Sequence, residues 1–317
     1  MIVRGKSTLF PYAINSVRGT ISPRHKTPLN NRQQLADTHK SANRRKSAYA
    51  AFICCLLLSG SLLAETIHAA VASNFVSTLR LLAASYGTDS SDEVRISAAS
   101  TGKLFAQIRH GAPFHIFLSA DARRPELLVA GGDAIADSLF TYAIGRLALW
   151  RPVGAGTTQT KDTQQGDPQI ANLCDTCEDP MPRMLTETFD HLAMANPKTA
   201  PYGKAAEETL RKLGLWQDLQ PRLVRGENIG QTYQFVASGA AEIGLVALSQ
   251  IRGHRTSEKH GRMWIVPSSL HTSLRQQAVL LGAGADNAAA KAFLAFLKSP
   301  KAREIIRSQG YELPENG

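Results

Sequence analysis

Short apolar strand patterns alternate with amphipathic helix patterns from residue 67 onward, and no other feature of this chain restricts its fold as strongly. Neighbouring parallel strands need a crossover between them, and a helix is the usual one. The alternation therefore predicts an α/β protein with mixed, mostly parallel sheets. The first unit is a strand over Ile67–Val71 and a helix over Phe75–Tyr86, with Phe75, Val76, Leu79, Leu82, Ala83 and Tyr86 on one face. The second is a strand over Glu93–Ser97 and a helix over Lys103–His110, closed by Gly111, a residue suited to a helix C-terminus. A third joins Phe114–Ser119 to a helix over Asp121–Ala130.

Farther along, Thr141–Arg151 reads as one long strand able to carry the chain from one domain to a second. Gly154–Gln169 is polar and reads as a surface loop. A second α/β set follows: a strand over Leu192–Ala195, a helix over Tyr202–Leu213 ended by Gly214, and a strand over Glu242–Leu248. Ala278–Gly282 reads as a strand returning to the first domain, before helices over Asn287–Lys298 and Lys301–Gln309. Their apolar residues Phe293, Phe296, Leu297, Ile305 and Ile306 are assigned to core packing.

Two strand-to-helix turns carry hydroxyls: Val71-Ala72-Ser73-Asn74-Phe75 and Ala99-Ser100-Thr101-Gly102-Lys103-Leu104. Taken singly, Ser73, Ser100 and Thr101 read as N-cap residues, each worth about 1 kcal/mol to its helix. Taken together they suggest more. Helix starts carry unsatisfied N–H groups and partial positive charge, so a hydroxyl beside them helps to hold an anion. Consecutive parallel strands aim both turns at the same sheet edge.

The chain has 317 residues and a formal charge of +10, which raises the question of a nucleic-acid partner. Residues 1–64 hold ten of the 36 basic residues and one of the 26 acidic ones, which leaves 26 against 25 over residues 65–317. A nearly neutral domain excludes a nucleic-acid footprint. The basic stretch ends in Arg44-Arg45-Lys46, followed by an apolar run from Ala48 to Leu58 and a small residue at Ala64. That is the layout of a secretory signal, too short for a membrane span, with cleavage expected after Ala64 or a few residues later. Cys54 and Cys55 leave with it. Cys174 and Cys177 remain, and they read as a local disulfide or an incidental pair rather than a redox motif or half of a zinc site.

Other motifs carry little. Gly5-Lys6-Ser7 lacks the upstream glycine of a phosphate loop, and Gly154-Ala155-Gly156 lacks the third glycine of a dinucleotide site. No G-x-S-x-G elbow occurs, and the histidines are scattered. An enzyme on this chain would need a nucleophile and base that no pattern supplies, so the reading is a binding protein without a cofactor.

The two turns, together with Gly111-Ala112-Pro113-Phe114, Phe117-Leu118-Ser119-Ala120-Asp121, Ala195-Asn196-Pro197-Lys198, Ala200-Pro201-Tyr202-Gly203 and Gly244-Leu245-Val246-Ala247-Leu248-Ser249-Gln250, resemble the periplasmic molybdate-binding proteins of ABC transporters. The likeness runs from about residue 66 to 313. It implies a two-lobed, hinged periplasmic binding protein fold of type II character, with residues 65–145 and 269–317 in the first lobe and 146–268 in the second. It also implies a monomeric periplasmic protein that serves an inner-membrane permease. The family's hydroxyl donors map onto Ser73 and Thr101, with Ser100 adjacent. Its backbone donors map onto Tyr202 and onto Ile229 in Glu227-Asn228-Ile229-Gly230. Where some members add a tyrosine hydroxyl this chain has Ala247, so a water or another backbone N–H is expected there. His115 replaces a commonly acidic residue and is expected on the lobe surface, and Lys103 is expected to point away along its helix.

The implied ligand is molybdate or tungstate, with sulfate or phosphate as the alternative. A fully deprotonated tetrahedral dianion only accepts hydrogen bonds, which hydroxyls and helix-start amides supply without a cation. A smaller anion in a rigid cleft leaves donors unmade, at about 1–3 kcal/mol each. A protonated phosphate finds no acceptor.

Overall fold

In the computed structural model the described residues are 64–154, 183–185, 187–253 and 261–315. The expected signal segment up to residue 63, Cys174, Cys177 and most of the Gly154–Gln169 loop lie outside them. Among the described residues, ten strands pair into two five-stranded sheets. The first runs, in spatial order, β2 (Glu93–Ala99), β1 (Thr66–Ala72), β3 (Ile116–Leu118), β10 (Leu274–Leu280) and β4 (Phe140–Gly145). The second runs β7 (Leu223–Gly226), β6 (Leu192–Ala195), β8 (Ile243–Ala247), β5 (Leu147–Arg151) and β9 (Arg262–Ile265).

Each sheet mixes two kinds of pairing. Strands joined by helical crossovers, β1 with β2 and β3 and β6 with β7 and β8, are parallel. The strands that carry the chain between sheets, β4, β5, β9 and β10, pair antiparallel. The single strand expected over Thr141–Arg151 is divided between the sheets. Gly145 pairs with Leu274 in the first, Leu147 pairs with Ala247 in the second, and Arg146 alone joins them.

Helices cover both faces of each sheet, as parallel strands require. Along β1, Ile67, Ala69 and Val71 enter one core and Ala70 the other, the two-residue alternation of a strand. On the first face lie α1 (Val76–Tyr86), α8 (Ala288–Leu297) and α9 (Pro300–Ser308), through Leu79, Leu82, Phe293, Leu297 and Ile306. On the other lie α2 (Thr101–Arg109) and α3 (Arg123–Ala130), through Leu104, Ile108 and Leu128. The second sheet is covered by α4 (Pro201–Lys212) and α5 (Trp216–Leu219) on one face and α6 (Ile229–Ala237) on the other. A short helix, α7 (Leu248–Gly253), follows β8. Gly111 and Gly214 close α2 and α4 with φ of 82° and 75°, a conformation that any side chain would strain.

Candidate functional site

The register of the first sheet sets the geometry. Ala72 on β1 pairs with Ala99 on β2, so Ser73 and Ser100 leave the sheet edge at the same level. In the second sheet Ala195 pairs with Gly226, and the chain turns from these strands into α4 and α6. The four turns meet in one narrow cleft. Ser73, Asn74, Ser100, Thr101 and Ala120 line it from the first-sheet side; Ala200, Pro201, Tyr202 and Ile229 line it from the other. All five residues expected at the site are therefore brought together.

The hydroxyls do not cap their helices. Ser73 lies inside a 3₁₀ turn, Ser73–Phe75, ahead of α1, and Thr101 is already the first residue of α2. Ser100 holds the N-cap position, yet its side chain makes no cap bond. The N-cap reading is corrected accordingly: α2 starts two residues earlier than the sequence pattern suggests, which moves Thr101 past the cap. Instead, Ser73 Oγ accepts from the Gly230 N–H at 3.1 Å, and Thr101 Oγ1 accepts from the Ala120 N–H at 3.1 Å. A hydroxyl that accepts keeps its own proton free for donation. Ser100 Oγ is buried and has no hydrogen-bond partner among the described residues.

The helix starts add amides. The first helical bond of α4 runs from Lys204 N–H to Ala200 O, which leaves the Tyr202 N–H ahead of the ladder. In α6, Gly230 N–H goes to Ser73 Oγ and Gln231 N–H to Asn228 Oδ1, so Ile229 N–H is left at the positive helix end. The Tyr202 side chain serves another purpose. Its ring is buried, its hydroxyl accepts from Gln276 Nε2 at 3.1 Å, and burial holds it protonated far above the ordinary tyrosine range.

No cationic side chain lines the cleft. Arg124, the nearest to Gly102, is ion-paired to Asp121. Lys103 corrects its expectation: rather than pointing away along α2, it forms an ion pair with Glu227, near the start of α6. The reason is the early start of α2, which places residue 103 in its first turn, facing the opposite helix start. Among the described residues no group of three or more His, Cys, Asp or Glu is placed to hold a metal ion. A larger cavity of about 500 Å³ lies elsewhere, between Arg146, Trp264, Arg307 and Glu312, and contains none of the four turns.

Residues 67–312 match the family model described as bacterial extracellular solute-binding protein. The chain belongs to this family. As a solute-binding protein it is 41% identical over 248 residues to the molybdate-binding protein ModA of Rhodobacter capsulatus, covering 78% of this chain and 88% of that one. It is 41% identical over 259 residues to ModA of Azotobacter vinelandii, covering 81% and 94%. The solved periplasmic molybdate-binding protein of Azotobacter vinelandii superposes with a TM-score of 0.66 at 36% identity, over 78% of this chain and all of that one.

Two further positions of this solute-binding protein do not line the cleft. Ala247 is fully buried in β8, and its N–H donates to Gln250 Oε1 at 3.1 Å. His115 sits at the start of β3, where its Nδ1 accepts from His68 N–H at 3.3 Å. Sequence reasoning passed over Asn74 and Gly230. Asn74 is 1% exposed, and its Nδ2 donates to Gln276 Oε1 at 2.9 Å and to the Tyr311 hydroxyl at 3.1 Å. Its presence in the Ser73 turn was visible, but its depth comes from long-range packing that no local pattern encodes.

Proposed function

We propose that this solute-binding protein captures molybdate, or the nearly isosteric tungstate, in the periplasm and delivers it to an ABC permease of the inner membrane. The observation that carries the reading is Ser100 Oγ, a buried hydroxyl with no partner among the described residues, on a residue that lines the same space as Ser73 and Thr101. A buried polar group left unmade costs about 1–3 kcal/mol, and a bound oxyanion removes that cost. Hydroxyls and helix-start amides, with no cationic side chain and no acceptor carboxylate in the lining, suit a ligand that only accepts. We assign residues 65–145 and 269–317 to one lobe and 146–268 to the other, closing about the crossings at Arg146 and between β9 and β10. The basic start and apolar run of residues 1–64 support export, and among the described residues no helix is long and apolar enough to cross a membrane.

Calorimetry of the protein with molybdate, tungstate, sulfate and phosphate tests the reading. Tight binding of the first two and weak binding of the others is expected. Sulfate binding as tight as molybdate would reassign the ligand to a smaller oxyanion. Binding of none would remove the oxyanion reading altogether.

A further inference from the structure

Beside the cleft, the two sides of the molecule touch along a seam with chemistry of its own. Gly102 N–H, in the first turn of α2, donates to Thr199 O on the loop before α4 at 2.9 Å. A Cβ at residue 102 would lie 2.9 Å from that same oxygen and 3.1 Å from Thr199 Cα, so the seam closes only because residue 102 has no side chain. One residue on, Lys103 pairs with Glu227, two residues before the start of α6. Both side chains are about half exposed, at 50% and 57%, so the pair lies at the rim, where solvent and salt reach it.

Lys103 and Arg124 differ in where their partners sit. Arg124 pairs with Asp121, three residues earlier on its own side, and that pair survives any separation of the seam. Lys103 pairs with a residue on the opposite side, and separation frees its ammonium. The side that carries Lys103 also carries Ser73, Ser100 and Thr101. With the seam open, an unpaired Lys103 stands beside the hydroxyl turns and attracts a dianion. With the seam shut, Glu227 neutralises it.

We infer that Lys103 and Glu227, together with the Gly102–Thr199 backbone contact, form a closure latch that sets how quickly a bound oxyanion leaves. The inference rests on the oxyanion reading above and concerns positioning residues, since neither side chain lines the cleft.

The test follows release of isotopically labelled molybdate into excess unlabelled molybdate. Lys103→Met and Glu227→Gln each speed release by about 1.4- to fivefold, the span of an exposed ion pair. That gain shrinks as salt is raised. The exchanged pair, Lys103→Glu with Glu227→Lys, restores slow release to within about twofold. Gly102→Ala speeds release by about tenfold, through one lost backbone bond and a forced backbone shift. A ligand-free readout separates the two readings: the Gly102 amide exchanges its hydrogen faster in Glu227→Gln than in the parent protein. Unchanged release and unchanged Gly102 exchange in the single variants overturn the latch, as does an exchanged pair no slower than either single variant. Faster Gly102 exchange in a protein that binds no molybdate keeps the latch and overturns the ligand.

Discussion

Ser100, Ser73 and Thr101 share a cleft but bear different loads, and substitution separates them. Ser73 Oγ and Thr101 Oγ1 each accept a backbone N–H, so Ser73→Ala and Thr101→Ala remove a structural bond together with a proposed ligand donor. Each is expected to weaken molybdate binding by about 1.5–3 kcal/mol, the range for a bond to a charged group, and to lower the stability of the free protein as well. Ser100→Ala removes a hydroxyl with no partner among the described residues, so it weakens binding while leaving the free protein equally stable or more so. Calorimetry paired with thermal unfolding distinguishes these patterns. A Ser100→Ala protein that binds normally would place the ligand elsewhere. The hydroxyls themselves were legible, because a strand–turn–helix pattern locates them without knowledge of the tertiary fold. The partners of Lys103 and Asn74 were not, because Glu227, Gln276 and Tyr311 are remote in sequence and only the packed chain brings them near.

At the scale of elements, one tight join is where α4 meets the chain crossing. The Tyr202 hydroxyl and Gln276 Nε2 fill the space above Gly145, the last residue of β4; an added Cβ there would overlap the hydroxyl and lie 2.6 Å from the amide. Gly145→Ala is therefore expected to destabilise the fold by about 1–3 kcal/mol, the usual cost of overpacking. In a Tyr202→Phe background, which withdraws the overlapping oxygen, the same substitution costs less. Urea unfolding of the four proteins in that cycle measures the coupling; additive costs would show that the two residues do not compete for the space. Element boundaries were legible where hydrophobic periodicity was strong, as for β6, α4 and α8. They were hidden where buried polar residues interrupt the pattern. Gln276 and Gln277, at 0% and 6% exposure, lie in the middle of β10, and only its apolar end read as a strand. The four-residue strands β7 and β9, each carrying an arginine, offered too little pattern to detect.

Across the whole molecule, the alternation of strands and helices was enough to anticipate two α/β sets and the return of the chain to the first. The even balance of parallel and antiparallel pairs was not, since it depends on where four strands pass between sheets. One residue ties the first sheet to the segment that returns to it. His115 N–H donates to His68 O at 2.8 Å, His115 O accepts from Leu281 N–H at 2.9 Å, and Gly284 packs against the His115 backbone. Its ring Nδ1 accepts from His68 N–H, which requires that nitrogen to carry no proton. Burial, followed by the nearby His68, lowers the His115 pKa below the ordinary histidine value. The unfolded chain therefore binds a proton more readily than the folded one, and stability rises with pH across that interval. The contribution is complete above the unfolded value of 6.5 and is lost as pH falls through the folded one. His115→Gln retains an acceptor but cannot be protonated, so the stability of the parent relative to this variant should decline as pH is lowered from 7.5 to 5. Denaturant midpoints across that range check it; a gap that stays constant with pH would show that the His115 ring is not the group that titrates on unfolding.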